Sequence, residues 1–516
     1  MYVDHKKLTL IASILGSGVV FLDGSVVNVA LPALREDLGA GLATQQWVVE
    51  AYLLTLSSLL LVGGSLGDLL GRRRVFLVGL AGFGITSAVC AVAPNAPLLV
   101  AGRAFQGVAG ALLVPSSLAI ITACFEGEER GAAVGSWTAW TGMSFVIGPL
   151  LGGFLIDAVS WRLIFAINLP LVVLTIFIAA RAVAESAAVE GHEPIDYTGA
   201  ALCIVGLGGA VFALTEEPTR GFGDPVVLIP LVVGLIAFAG FIEFERRARH
   251  PMVPLHLFTV RNFAVANAAC LTLYAGLSAL TFFLVLYLQQ VGGYDALTAG
   301  LALSPVSLVM FVLSRRVGAV ASRLGPRLFM GFGPIIGALG LLLLLRLDRS
   351  VDYVGELLPG LLVFSVGLSI TIAPLTSTVL NSVDERHAGA ASGANNAVAR
   401  VAGLLGIAAV GAVIASQFGS ALDSKLADRN VPLTPAVQAA ESTAKSRPLV
   451  GTHSDPKYRA TLDGTVDSAS TTAFRAGMIV TAALVGFGGV ISLVGIRDPR
   501  RRQEAPVGQG AEAARA

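Results

Sequence analysis

The chain has 516 residues, of which 55% are hydrophobic and only 13% charged, with a formal net charge of +1 and a mean hydropathy of +0.77. Soluble domains carry about 25% charged residues, so this balance excludes an ordinary soluble protein and points to an all-α polytopic membrane protein. The near-zero charge offers no basic field for nucleic acid. The four cysteines (Cys90, Cys124, Cys203, Cys270) form no C-x-x-C pair for a disulfide framework or thiolate metal site.

Apolar runs long enough to cross a bilayer recur along the chain. They predict fourteen transmembrane helices near 8–33, 46–66, 74–93, 97–122, 131–156, 162–180, 197–215, 225–243, 263–288, 296–314, 327–345, 355–380, 389–416 and 473–496. The first run is too long for a signal segment and contains Asp23, so it reads as a retained helix. Lys6 and Lys7 precede it. Alternate loops hold Arg72, Arg73 and Arg74; Arg130; Arg181; Arg246, Arg247 and Arg249; Arg315, Arg316, Arg323 and Arg327; and Arg386. Arg497, Arg500, Arg501 and Arg502 follow the last run. The positive-inside rule then places both termini in the cytoplasm, as an even number of spans requires. The expected location is the plasma membrane, multi-pass, and the scarcity of lysine suits a bacterial source. Segment 417–471 lies on the outer side, either as a solvated linker or as a partly helical cap over the mouth.

Two short stretches occur twice. GSLGDLLGRR (64–73) returns as GAVASRLGPR (318–327), with Ser322 in place of Asp68, and GAAVG (131–135) returns as GAASG (389–393). Both pairs run in the same direction, as in carriers built from two parallel halves. Eight spans precede the second copy and six follow, so two spans are inserted between six-helix halves. The expected division is a six-helix bundle at 1–185, two linker helices within 186–250, a second bundle at 251–500, and a disordered cytoplasmic tail at 501–516.

Ionisable groups at membrane depth are costly and usually functional. Asp23 lies in VVFLDGSVVNVALP, Glu50 in QWVVEAYLL, Arg103 in LLVAGRAFQG and Arg400 in NNAVARVAGLL. Asp23 reads as a proton-handling acid or a neutral brace, and Glu50 as a cavity acid or an interfacial one. Arg103 cannot lose its charge and must find an acceptor. Arg400 reads equally as brace or substrate site. An arginine beside a protonatable acid makes a coupling device, because proton loss strengthens the pairing and proton arrival weakens it.

In the first loop cluster, Asp68 can pair with an arginine or a helix N-terminus and latch the halves. Gly64 and Gly71 allow close approach and a tight turn, and Arg72 and Arg73 anchor the cytoplasmic face. Gly142, Gly148, Pro149, Gly152 and Gly153 fall in one span and suggest a bending seam between the halves. No G-x-x-x-x-G-K-[ST] stretch provides an ATP site. The histidines (His5, His192, His250, His256, His387, His453) lie in loops or termini, away from any metal-ligating spacing. The reading is therefore a monomeric, cofactor-free carrier driven by an ion gradient.

With these motifs the chain resembles the major facilitator superfamily, in its fourteen-span drug:proton antiporter branch. The similarity rests on LDGSVVNVALP (22–32), GSLGDLLGRRR (64–74), GRAFQGVAGALLVP (102–115), GMSFVIGPLLGGFL with WRLIFAINLP (161–170), and YLQQVGGYDALTAGLALSP (287–305). Gly24 and Ser25 depart from the branch's usual first-helix residues. The resemblance implies a major facilitator fold of two six-helix bundles with two extra helices between them. It also implies proton-driven export of amphipathic drugs or metabolites by alternating access. On that reading Asp23 and Arg103 couple protons, Glu50 is a cavity acid, and the span-five glycines with Pro149 form the antiporter hinge. The alternatives are a dedicated exporter of one endogenous antibiotic or lipid, and a membrane enzyme or receptor, which lacks support in catalytic spacings.

Overall fold

The structure is a computed structural model that describes residues 5–186, 196–248, 251, 255–383, 388–428, 434–445, 447–451, 462 and 465–498. The expected tail at 501–516 lies outside the described residues. So do Arg249, Arg386, Arg500, His192, His250, His387 and His453.

The apolar runs fold as long helices because only an internally hydrogen-bonded backbone is tolerated in hydrocarbon. Among the described residues, thirteen helices are long and apolar enough to span, and a bent pair makes a fourteenth. They are α1 (His5–Leu38), α2 (Leu42–Leu70), α3 (Arg72–Ala91), α4 (Ala96–Cys124), α5 (Gly127–Ala158), α6 (Leu163–Ala182), α7 (Tyr197–Arg220) and α8 (Pro225–Arg247). There follow α9 (Arg261–Gln290), α10 (Ala296–Gly318), α11 (Pro326–Arg346), α12 (Tyr353–Asn381), α13 (Ala388–Asp428) and α14 (Thr465–Gly495). Helix starts follow short polar side chains that accept from orphan amides. Asn95 caps α4, Asp196 caps α7, Asp224 caps α8 and Asp295 caps α10. The break in α2 between Leu60 and Val62 turns the helix by 51°. Beside it, Gly63 lies against the Ala111 backbone of α4, so a side chain there would hold the helices apart.

Helices α1–α6 and α9–α14 form the two bundles. The inserted pair packs face to face through Gly206 and Gly209 of α7 against Gly234 of α8. Helix α7 then lies along the seam of α2 and α13, where Leu54, Leu207, Val211, Leu404 and Ala408 share a buried cluster. Helix α8 presents Ile229, Leu235 and Ile236 outward, as a lipid-facing helix does.

The bundle has a recognisable polarity. One end, called here the arginine end, carries Arg72–Arg74 and Arg327. At the opposite end the halves are joined. Leu31 and Leu34 of α1 share a core with Leu284 and Leu288 of α9. Arg35 donates to Gln290 at 2.6 Å, Gln289 to the Val29 carbonyl at 3.0 Å and Gln46 to the Ile407 carbonyl at 3.1 Å.

The described part of the 417–471 segment is partly helical. Helix α13 continues to Asp428, well past the expected end, and a short helix (Pro435–Lys445) folds back on it. Lys445 holds that return through Asp423 of α13 at 2.5 Å, and it also pairs with Glu441 of its own helix at 2.8 Å. Leu449 and Val450 are then fully buried, with Ser470 donating to the Val450 carbonyl at 2.6 Å.

The sequence repeat has a structural counterpart. Gly71 and Gly325 both start a helix at positive φ, 100° and 95°. Behind each stands an acid from beyond the last helix of the same half. Glu185 accepts from the Arg73 amide at 3.1 Å, and Asp498 accepts from the Arg327 amide at 3.1 Å. A Cβ on Gly71 would fall 2.6 Å from Glu185 Oε1, and one on Gly325 2.5 Å from Asp498 Oδ1. Gly71→Ala and Gly325→Ala should therefore each cost about 1–3 kcal/mol through backbone strain alone. Gly135, with nothing near its Cβ position, is the control. Thermal unfolding in lipid nanodiscs checks this, with the midpoint not lowered in Gly135→Ala, where helix propensity favours Ala.

Candidate functional site

Arg103 sits two turns inside α4 from its Asn95 cap and is fully buried. Its Nη1 donates to Asp23 Oδ2 of α1 in a close ion pair and to Gln106 Oε1 at 2.7 Å. Its Nε donates to the Val48 carbonyl of α2 at 2.9 Å. The guanidinium lies 4.2 Å over the Tyr52 ring and 5.7 Å from the Phe165 ring. The other Asp23 oxygen, Oδ1, accepts from Gln106 Nε2 and from Asn168 Nδ2 of α6, both at 2.9 Å. Ser87 of α3 closes the ring, accepting from Gln106 Nε2 at 2.9 Å and from Asn168 Nδ2 at 3.3 Å. Tyr52 is itself fixed by its hydroxyl, which donates to the Val20 carbonyl at 2.9 Å.

This cluster unites α1, α2, α3, α4 and α6 inside the first half. Asp23 is 0% exposed, so a molecule lying between the halves does not touch it. A proton on Asp23 would remove the counter-charge of Arg103, while Val48, Gln106 and Tyr52 would still hold the guanidinium. The pair thus ties α1 to α4 through one buried carboxylate.

The sequence reading paired Asp23 with Arg103, and the structure brings them together. It missed Gln106, Asn168, Ser87 and Tyr52. Gln106 follows Arg103 by three residues, a spacing that shares a helix face, and Asn168 is a polar residue inside an apolar span. Ser87 carries no such signal.

Glu50 is equally buried, but it faces elsewhere. Thr215 of the inserted α7 donates to its Oε2 at 3.1 Å, and Trp47 one turn earlier stacks near Phe212 at 5.9 Å. The acid expected to line the cavity lies on the α2–α7 seam. Arg400 lies partly exposed on α13, its guanidinium 5.4 Å from the ring of Phe21 on α1 in the other half.

At the arginine end, Asp68 pairs with Arg72 of its own half through contacts of 2.9 and 2.8 Å, and Arg72 also donates to the Ala119 carbonyl at 3.3 Å. The latch expected to bridge the halves is thus closed within one half in this conformation. Gly64 lies beside Pro115 of α4, consistent with close packing there. Arg73 donates to the Ala180 carbonyl at 2.5 Å.

The span-five residues form a contact surface. Gly148 and Gly152 lie against Ser25 and Val26 of α1. Gly153 lies against Leu297, and the Pro149 backbone against Gly300, both across the boundary on α10. Gly142 faces open space. Helix α5 runs unbroken through Pro149. One turn beyond Gly153, Asp157 accepts from the backbone amides of Ala296 and Leu297 at 3.3 and 2.9 Å, at the start of α10 in the other half. A first-half acid thus joins the halves at the opposite end.

A sequence profile described as Major Facilitator Superfamily matches residues 13–407. The chain belongs to the major facilitator superfamily. It is 34% identical over 428 residues to the "Multidrug resistance protein Stp" of Mycobacterium tuberculosis, covering 83% of this chain and 79% of that protein. It is 37% identical over 394 residues to the "Cephamycin export protein CmcT" of Amycolatopsis lactamdurans, covering 76% and 81%. The "Probable actinorhodin transporter" of Streptomyces coelicolor is 34% identical over 436 residues, covering 82% and 75%. The fold is also that of a solved bacterial homolog of the human lysosomal transporter Spinster, with a TM-score of 0.65, 13% identity and coverage of 97% and 100%. As a major facilitator protein with bacterial relatives, this chain is a multi-pass membrane transporter of small organic molecules, secondary-active and not an enzyme.

The Asp157 side chain gives a direct test of the cross-half contact. Losing the acceptor of such backbone hydrogen bonds costs about 0.5–1.5 kcal/mol. Asp157→Ala should therefore shift the population several-fold toward conformers separated at the opposite end. Spin-label distances between the opposite-end loops of α5 and α10 would show a longer component. An unchanged distribution would mean that the contact does not hold the halves.

Proposed function

We propose that this transporter exports a small organic metabolite across the cytoplasmic membrane in exchange for protons, by alternating access. The observation that carries the reading is the buried Asp23–Arg103 pair with its ring of amide and hydroxyl groups. A protonatable acid and a permanent cation, sealed together at membrane depth, form a charge switch. The positive-inside rule puts the arginine end in the cytoplasm, so halves joined at the opposite end describe an inward-facing state.

Asp23 is reached by protons rather than by substrate, so coupling runs through α1. That helix carries Asp23 into the first bundle and lays Ser25, Val26 and Phe21 on α5 and the seam. A proton arriving at Asp23 loosens α1 from α4, and α1 passes the change to the glycine surface of α5. Gly148, Gly152 and Gly153 then act as the sliding surface of the antiporter seam.

Relatives named for one compound each, including the cephamycin export protein and the probable actinorhodin transporter, favour a dedicated exporter. The relative named for multidrug resistance favours the second reading, a carrier of several amphipathic drugs. A susceptibility panel on expressing and non-expressing cells separates them, since a dedicated exporter protects against one chemical family.

The proton requirement is tested in inverted vesicles holding an imposed pH gradient. A compound identified by the panel should dissipate the gradient in wild type, and Asp23→Asn should reduce that dissipation to the level of empty vesicles. Wild-type dissipation by Asp23→Asn would remove Asp23 from the coupling step.

A further inference from the structure

Two arginines sit at membrane depth in this protein, and their surroundings differ. Arg103 is answered by a carboxylate, an amide and a backbone carbonyl of its own half. Arg400 makes no hydrogen bond or ion pair among the described residues, and its neighbour is the Phe21 ring at 5.4 Å. A guanidinium carries five donors, accepts nothing and keeps its charge at any working pH. An unanswered one at this depth is expensive, and such residues mark substrate or ion paths.

The position of Arg400 fits that role. It belongs to α13 of the second half, yet it lies over a residue of α1 in the first half. Its partial exposure therefore opens into the seam between the halves, not toward lipid. Phe21 stands edge-on to Trp137 of α5 at 6.5 Å, so the guanidinium borders an aromatic surface. The intramembrane acids of the first half face other groups: Asp23 pairs with Arg103, and Glu50 accepts from Thr215. The seam thus presents a cation and aromatic faces to whatever enters it.

We propose that Arg400 binds the anionic group of the transported molecule, so that the carrier selects aromatic or apolar acids, such as carboxylates and ionised phenols, over cations. This inference rests on the exporter reading and names its substrate class. The bound acid supplies the acceptors that Arg400 lacks, and its apolar body lies on Phe21 and Trp137. Phe21 and Asp23 are two residues apart on α1, so the substrate contact and the proton site meet on one helix while remaining chemically separate.

The test is equilibrium binding to the full chain in nanodiscs without any gradient, which makes it independent of proton coupling. The probes are anthracene-9-carboxylate, its neutral methyl ester and 9-(aminomethyl)anthracene. Wild type should bind the carboxylate at least about tenfold more tightly than the ester, the gain expected of a charge-assisted hydrogen bond, and the ammonium probe most weakly. Arg400→Gln should bring the carboxylate down to the ester, with ester affinity unchanged, and Arg400→Lys should restore part of the preference. Equal binding of carboxylate and ester by wild type would overturn the proposal, as would tighter binding of the ammonium probe. The wild-type comparison stands even where a variant folds poorly. If the anion preference holds while Asp23→Asn still dissipates a pH gradient, only the coupling assignment fails. If proton-linked export holds without an anion preference, only the role of Arg400 fails.

Discussion

A guanidinium that cannot shed its proton must be given acceptors wherever the chain buries it, and Arg103 is given them by most of the first bundle. Asp23 supplies the charge, Val48 a carbonyl, Gln106 an amide oxygen and Tyr52 a ring face. Removing either member of such a pair leaves a buried charge without its partner, a loss of about 3–5 kcal/mol. The requirement fixes α1, α2 and α4 against one another, and Asn168 and Ser87 extend it to α6 and α3. The first half is thereby a unit held together around one buried ion pair.

Around that unit the fold is arranged in repeated and unrepeated parts. The repeated part is the turn at Gly71 and Gly325, each with a positive φ and an acid from the far end of its own half. It ties the beginning and end of each bundle together and lets each half move as a body. The unrepeated parts carry direction. Asp23 has no copy in the second half, Ser322 stands where Asp68 does, and Asp157 reaches across to the start of α10. The two halves are thus not equivalent, and in the proposed exchange it is the first that takes the proton.

Much of this was legible in the sequence, for physical reasons that also set the limits. A membrane span must be long and apolar, so fourteen spans could be read from hydropathy, and the inserted pair followed from where the repeat falls among them. Asp23 and Arg103 could be paired because both are ionisable groups inside apolar runs. The partners Gln106 and Asn168 were harder, since a neutral polar residue does not announce which helix it will meet. Glu50 could be recognised as buried, but its direction depends on where the inserted α7 docks, which is a tertiary fact. Asp68 showed a capacity to pair, and the choice of Arg72 four residues on reflects local helix geometry in this conformation. Helix α13 ran past its expected end because the polar residues after 416 remain helical when the Pro435–Lys445 helix folds back over them.

The central claim is that Asp23 is the group that carries the proton. Infrared difference spectroscopy of the reconstituted protein tests it most directly, by following the carboxylic-acid C=O stretch as pH is raised. The account predicts that wild type loses a buried carboxylic-acid band that is missing from Asp23→Asn and retained in Glu50→Gln. An Asp23→Asn spectrum indistinguishable from wild type would contradict it.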